Sequence, residues 1–258
     1  MSNEAISNPL ADLLISACSN VFEGDGEVLA SGIGLIQRLG ASLAMVQNPD
    51  LMMTDSEAYV VTEPVPVGER NGYEPKRETW MGFSRIFDNV WSGARHALVG
   101  PSQIDQFGQT NISALGDYVK PKVQMLGVRG FPGNSICHAN SFFVPAHSKR
   151  VFVEGEVDTV CSIGYNPARL PKGYSFDDID IRQIITDLCV LDFEPGTKKM
   201  RIVSLHPGVT VDEVQDNTSF DLVKPDVLAE TAMPTEQQLV SISALDPNNL
   251  RARAVKPR

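Results

Sequence analysis

The sequence predicts one α/β domain, with βα units in its first half and more β-rich structure later. Three observations predict it. Leu10, Leu13, Leu14, Ala17 and Cys18 recur at three- and four-residue steps, as do Leu35, Ile36, Leu39, Leu43 and Ala44, and each set marks a helix with one apolar face. Between the two, Glu27 to Ser31 reads as a short buried strand that turns through Gly32-Ile33-Gly34 into the second helix. Beyond residue 140 the apolar residues gather instead in short runs broken by Pro, Gly and Asp, the pattern of strands.

The first helix is expected from Asn8 to Asn20. The Gly32-Ile33-Gly34 turn is not a dinucleotide site, because the third glycine of that motif would fall at Gln37 and no ribose-binding acid stands at the usual spacing. Asn48-Pro49-Asp50 is a turn, after which Leu51 to Thr54 forms a second strand that delivers Asp55-Ser56-Glu57 at its carboxyl end. In open α/β sheets that end faces the ligand crevice, so two carboxylates flanking a serine there are read as nucleophile, base or loop-capping acceptors. Residues Thr62 to Thr79 mix prolines and glycines with charges, a long loop of the kind that serves as a lid or subunit contact. Trp80-Met81-Gly82-Phe83, with Ile86, Phe87, Val90 and Trp91, reads as an aromatic-rich helix, and a strand over Ala94 to Gly100 follows.

Ser141 to Val144 and Arg150 to Glu154 are two strong β segments, expected to pair as a hairpin, and Val157 to Cys161 is another strand candidate. Ile184 to Phe193, the turn Glu194 to Lys198 and Met200 to Leu205 give an antiparallel hairpin. Short helices are expected at Val211 to Asn217 and Glu236 to Ala244.

At 258 residues, 42% of them hydrophobic, the chain can bury a substantial core. A formal charge of -10 argues against a nucleic-acid or anionic-membrane surface, since phosphate neutralisation needs clustered Lys and Arg. No apolar run approaches membrane-spanning length and no basic, apolar leader opens at Met1, so a soluble cytoplasmic protein is expected. Cys18, Cys137, Cys161 and Cys189 lie far apart and read as reduced core residues. His96, His138, His147 and His206 do not pair at metal-ligand spacing, so no metal is expected, and no G-x-S-x-G elbow supports serine-hydrolase chemistry.

The chain is organised around Gly127-Val128-Arg129-Gly130-Phe131-Pro132-Gly133-Asn134, which follows the apolar run Val123 to Leu126. Three glycines and a proline leave backbone N–H groups able to point at a bound anion or oxyanion. Arg129 keeps its charge at any accessible pH and offers planar donors to a carboxylate or a developing enolate. Asn134 is read either as a hydrogen-bond donor to substrate or as a helix cap. Before this turn stands the polar segment Gln103 to Tyr118, rich in Asn, Gln and Ser but poor in charge, which suggests ordered hydrogen bonding.

Asn48-Pro49-Asp50 with Asp55-Ser56-Glu57, Gly100 to Asn111, Gly116-Asp117-Tyr118 and Thr218-Ser219-Phe220-Asp221 resemble, in the same order, segments of the β subunit of family I CoA-transferases of the glutaconate type. The resemblance covers nearly the whole chain and implies the CoA-transferase fold, an open, mostly parallel sheet flanked by helices with an added β-hairpin region. Two departures stand out. Transferases of this family carry a Glu-Gly that takes the acyl group, whereas here Ser56 or, with a one-residue shift, Glu57 occupies that place and no glycine follows. The family's G-x-G-G oxyanion turn reads Gly127-Val128-Arg129-Gly130, extended by Phe131 to Asn134.

These departures, with Lys149 to Glu154, Ile163-Gly164-Tyr165 and Ser204 to Thr210, resemble the steroid ring-cleaving hydrolase branch of the same fold. That resemblance implies a subunit of an α2β2 heterotetramer whose separate α subunit supplies an essential acid. It also implies a substrate that is a cyclic β-keto CoA thioester, with no further cofactor. Arg129 is then the catalytic residue of this chain, stabilising an oxyanion or orienting the α-subunit acid, and Gly130, Asn134, Ser56 and Glu57 are its substrate-binding candidates. The resemblance to active transferases leaves CoA transfer through Glu57, or a purely structural subunit, as alternatives.

Overall fold

The computed structural model describes residues 7–55 and 59–256, the side chain of Arg129 excepted. Its elements in chain order begin with α1 (Pro9–Asn20), β1 (Leu29–Gly32), α2 (Leu35–Gln47), β2 (Met53–Asp55), β3 (Tyr59–Val61), β4 (Arg77–Trp80), α3 (Gly82–Trp91) and β5 (Arg95–Val99). Short strands β6 (Gln103–Ile104), β7 (Thr110–Asn111), β8 (Ala114–Leu115) and β9 (Val123–Gln124) precede α4 (Phe131–Cys137) and β10 (Ala139–Val144). The chain continues through β11 (Ile181–Thr186), β12 (Cys189–Phe193), β13 (Met200–Leu205), α5 (Val211–Asp216), β14 (Ala229–Glu230) and α6 (Glu236–Leu245). These gather into two compact units, one from the described residues of Met1–Asp88, Ala94–Leu98 and Ala232–Arg258, the other from Asn89–Gly93 and Val99–Thr231.

In the first unit β1 pairs in parallel with β5, Leu29 opposite Arg95 through Gly32 opposite Leu98. Helix α1 starts with Pro9 behind an Asn8 cap and buries Leu13, Leu14, Ile15, Ala17 and Cys18, as its spacing predicts. Gly32 is needed for close approach rather than for nucleotide binding: a Cβ there would collide with the Gln37 carbonyl in the first turn of α2. Strands β2, β3 and β4 form a separate antiparallel sheet, with Asp55 opposite Tyr59 and Tyr59 opposite Trp80. The expected 62–79 loop therefore ends in a strand. Its start is packed down, with Val65 and Val67 buried and the Val67 N–H donating to the Leu245 carbonyl at 2.8 Å.

In the second unit β10 pairs in parallel with β11, β11 and β12 are antiparallel, β12 and β13 form the expected hairpin, and β14 joins β13 in parallel. All six residues of β10 are buried, as befits a strand covered on both faces. The expected hairpin of Ser141–Val144 with Arg150–Glu154 does not form: the partner of β10 is β11, and Phe152 makes only a parallel bridge to Ile104. Nor does Val157 to Cys161 form a strand; the Cys161 N–H instead bonds the Thr110 carbonyl at 2.9 Å. The run Ile184 to Phe193 divides into two strands at Asp187-Leu188, where the Thr186 hydroxyl accepts from the N–H groups of Leu188 and Cys189, each at 3.0 Å.

Candidate active site around the Gly127 turn

The polar segment before the turn is a buried hydrogen-bond scaffold. Asp105 is fully buried and accepts from the N–H groups of Phe107 at 3.0 Å and Gln109 at 3.1 Å, and from Gln109 Nε2 at 2.5 Å. Burial pushes its carboxyl up to about 6 despite those bonds. Gln109 Nε2 also reaches Glu156 at 3.2 Å, and Arg169 grips Glu156 with two bonds, which hold the Glu156 carboxyl below the usual range. Asn111 is saturated: its Nδ2 donates to Gln103 Oε1 at 2.8 Å and the Ala114 carbonyl at 2.7 Å, while its Oδ1 accepts from Ser113 and Ala114 N–H groups.

This scaffold fixes the turn. The N–H of Met125 donates to the Ser113 carbonyl at 2.6 Å, and the N–H of Gly127 donates to the Ile112 carbonyl at 3.1 Å. The Gly127 amide is thus occupied within the chain. A Cβ at Gly127 would collide with Ile112 Cδ1 and Cγ1 and lie 2.7 Å from its carbonyl oxygen, so close packing demands this glycine. Gly127–Arg129 makes one 3₁₀ turn, Gly130 keeps a right-handed backbone (φ -112°, ψ -25°), and α4 begins at Phe131. Phe131 is buried and meets the Phe142 ring edge-on at 6.3 Å, while Leu126 is exposed.

Asn134 is not a helix cap. Proline is tolerated only in a first turn, so Pro132 sets the start of α4 ahead of Asn134, whose N–H donates to the Gly130 carbonyl at 3.1 Å. The residue is buried. At the other end of α4, Asn140 Nδ2 donates to the Asn134 carbonyl at 2.9 Å and the His138 carbonyl at 2.7 Å. Among the described residues, the buried oxygens Thr110 Oγ1, Ser113 Oγ and Asn140 Oδ1 have no hydrogen-bond partner. They belong to the segments that hold the turn, and such unused capacity calls for water or substrate.

Ser56 and Glu57 lie outside the described residues; their neighbours are Asp55 at the end of β2 and Tyr59 at the start of β3. Asp55 itself is buried and ion-paired, gripped by both terminal nitrogens of Arg70, with Arg77 at 3.6 Å. Arg38 bonds the adjacent Thr54 carbonyl at 2.8 Å. The Arg70 hydrogen bonds hold the Asp55 carboxyl below the usual carboxylate range, so it stays ionised and carries no proton at neutral pH. Sequence reasoning missed these arginines, which are 15 residues away for Arg70 and farther still for Arg77. The predicted site residues thus fall in two groups: Ser56 and Glu57 adjoin a β-strand of the first unit, and Arg129, Gly130 and Asn134 belong to the second. Among the described residues no three His, Cys, Asp or Glu side chains converge as a metal cluster.

The family model described as Coenzyme A transferase matches residues 17–217. The cholesterol ring-cleaving hydrolase IpdB subunit of Mycobacterium tuberculosis is 40% identical over 248 residues, covering 95% of this chain and 98% of that protein. The crystal structure of Rhodococcus jostii RHA1 IpdAB superposes with a TM-score of 0.87 at 38% identity, covering 96% of this chain and 98% of that one. Glutaconate coenzyme A-transferase from Acidaminococcus fermentans, at 24% identity and a TM-score of 0.77, shares the fold over 97% of this chain and 99% of that one. The chain belongs to the coenzyme A transferase family, and within it to the group of the cholesterol ring-cleaving hydrolase IpdB subunits.

Proposed function

We propose that this chain is the β-type subunit of a heteromeric hydrolase that opens a cyclic β-keto CoA thioester, the last ring of a cholesterol-type steroid. One observation carries the reading: the chain matches the IpdB subunit along nearly its whole length. Water adds to the ring ketone. The carbon–carbon bond to the α-carbon then breaks, the former ketone carbon leaves as a carboxylate, and the electron pair passes into the thioester as an enolate that is protonated at carbon. Negative charge develops on oxygen at both stages. A preorganised donor aimed at such an oxygen lowers the barrier by about 3–4 kcal/mol. That is the role proposed for Arg129, with Gly130 and Asn134 contacting the substrate beside it.

Ser56 and Glu57 complete the substrate contacts in this reading, and the acid comes from a separate α subunit in an α2β2 assembly. The reaction consumes only water and needs no cofactor beyond the CoA on the substrate. The enzyme works in the cytoplasm, where CoA thioesters are made; among the described residues no helix is long and apolar enough to cross a membrane.

The test is co-expression with the α subunit and mass spectrometry of a reaction with a cyclic β-keto CoA thioester in heavy-oxygen water. Ring opening with the label in a new carboxylate and the thioester intact is expected, with Arg129→Ala lowering kcat about 100- to 1,000-fold. Transfer of CoA to an added acid with the ring closed, and a borohydride-trapped adduct at Glu57, would refute it.

A further inference from the structure

Helix α3 carries an apolar stripe that this chain covers only in part. Phe83, Ile86, Phe87, Val90 and Trp91 recur at helical spacing, opposite Arg85 and Asp88. Val90 is buried, yet Phe83 is 82% exposed, Phe87 50% and Trp91 61%. Those three stand four residues apart and form one edge of the helix. Trp80, 65% exposed, extends that edge past the helix start, because its ring lies over Gly82, 3.3 Å from where a Cβ would stand. A side chain of this size buries about 150–250 Å², so four of them supply more than half of the roughly 800 Å² per partner of a stable interface.

We propose that the Trp80, Phe83, Phe87 and Trp91 edge of α3 is the docking surface for the separate α subunit. The inference rests on the function proposed above. One observation selects the α subunit over a second copy of this chain. Trp91 packs on α4: a Cβ on Gly133 would lie 3.0 Å from its Cη2 and Cζ3 atoms. A protein that covers Trp91 therefore comes to rest beside the helix that follows Arg129, where the reaction needs an acid from another chain.

The experiment uses the full-length chain co-expressed with the α subunit. Hydrogen exchange of the wild-type complex is expected to slow at least tenfold over residues 80–92 relative to the isolated chain. The Phe83→Asp/Phe87→Asp double variant is expected to co-purify with the α subunit at less than one-tenth of the wild-type yield, while its unfolding midpoint as an isolated chain stays within a few degrees of wild type. Unchanged exchange over 80–92 in a complex that forms overturns this inference alone. So does an isolated wild-type chain that is a dimer and that the double variant converts to a monomer. A wild-type chain that forms no complex with the α subunit overturns the proposed function, and this inference with it.

Discussion

Replacing Asp105 by Asn isolates the energetic cost of the buried carboxylate in the polar segment that precedes the Gly127 turn. In the folded chain Asp105 titrates near about 6, against an ordinary value of 3.8, because it is cut off from water. An acid raised in this way binds more protons folded than unfolded, so it erodes stability as pH climbs from about 4 to about 6. Across those two pH units, 1.36 kcal/mol each, the loss amounts to about 3 kcal/mol. Asparagine carries no charge at either end of the range. Its oxygen keeps the Phe107 and Gln109 N–H bonds, and its amide can donate to Gln109 Oε1, a buried oxygen that now lacks a partner, once that side chain flips. Urea denaturation of both proteins at pH 4 and pH 7 is the assay. The stability of Asp105→Asn relative to wild type should improve by about 3 kcal/mol between pH 4 and pH 7, whatever the constant offset from altered contacts. A relative stability that does not change with pH would refute the assignment of a raised, buried carboxyl.

Three other outcomes are expected. Gly127→Ala should destabilise the chain by about 1–3 kcal/mol and lower kcat of the assembled enzyme; Ile112→Ala in the same chain should recover only part of this, since the Ile112 carbonyl still blocks the Cβ. His147 is buried between Thr186 Oγ1 at 3.1 Å and Thr218 Oγ1 at 2.9 Å, and burial lowers it from 6.5 to about 3. A base depressed in this way makes stability fall as pH drops below 6.5, so His147→Gln should flatten the denaturation midpoint between pH 6.5 and pH 4 relative to wild type. Arg70→Ala leaves the buried Asp55 with only part of its counter-charge and should destabilise the chain by about 2 kcal/mol at pH 7. The Asp55 carboxyl is depressed, so the stability it contributes is present above its ordinary value and lost in acid; the variant should lose less on titration below pH 4.

Helices α1, α2, α3 and α6 and the β12–β13 hairpin were legible because periodicity and turn residues act over a few positions. The partner of β10 was not. Arg150 to Glu154 has strand composition and sits close in sequence, but the ladder partner is β11, some 40 residues on, and all six β10 residues are buried, a long-range pairing that no local pattern records. The segment from Gln103 to Tyr118 was readable for the opposite reason. Each side chain in a buried hydrogen-bond scaffold has few substitutes, so Asp105, Gln109 and Asn111 carry the family's imprint in their identities. Of the two roles open to Asn134, the cap falls because Pro132 ahead of it sets the helix start. The arginine grip on Asp55 depends on a loop folding back, which no local pattern records.

Asn8 caps α1 and also donates through Nδ2 to the carbonyls of Ala252 at 3.2 Å and Val255 at 2.8 Å, with Arg251 bonding Asp12 at 2.6 Å alongside. Val255 leaves the ribosome 247 residues after Asn8, a delay of roughly 10–50 s at about 5–20 residues per second. The Asn8 contacts that tie the two ends of the first unit cannot form within that interval. The second unit draws on nothing beyond Thr231, so all of its residues are synthesised before the last segment of the first unit, the opposite of an N-terminal-first order of completion.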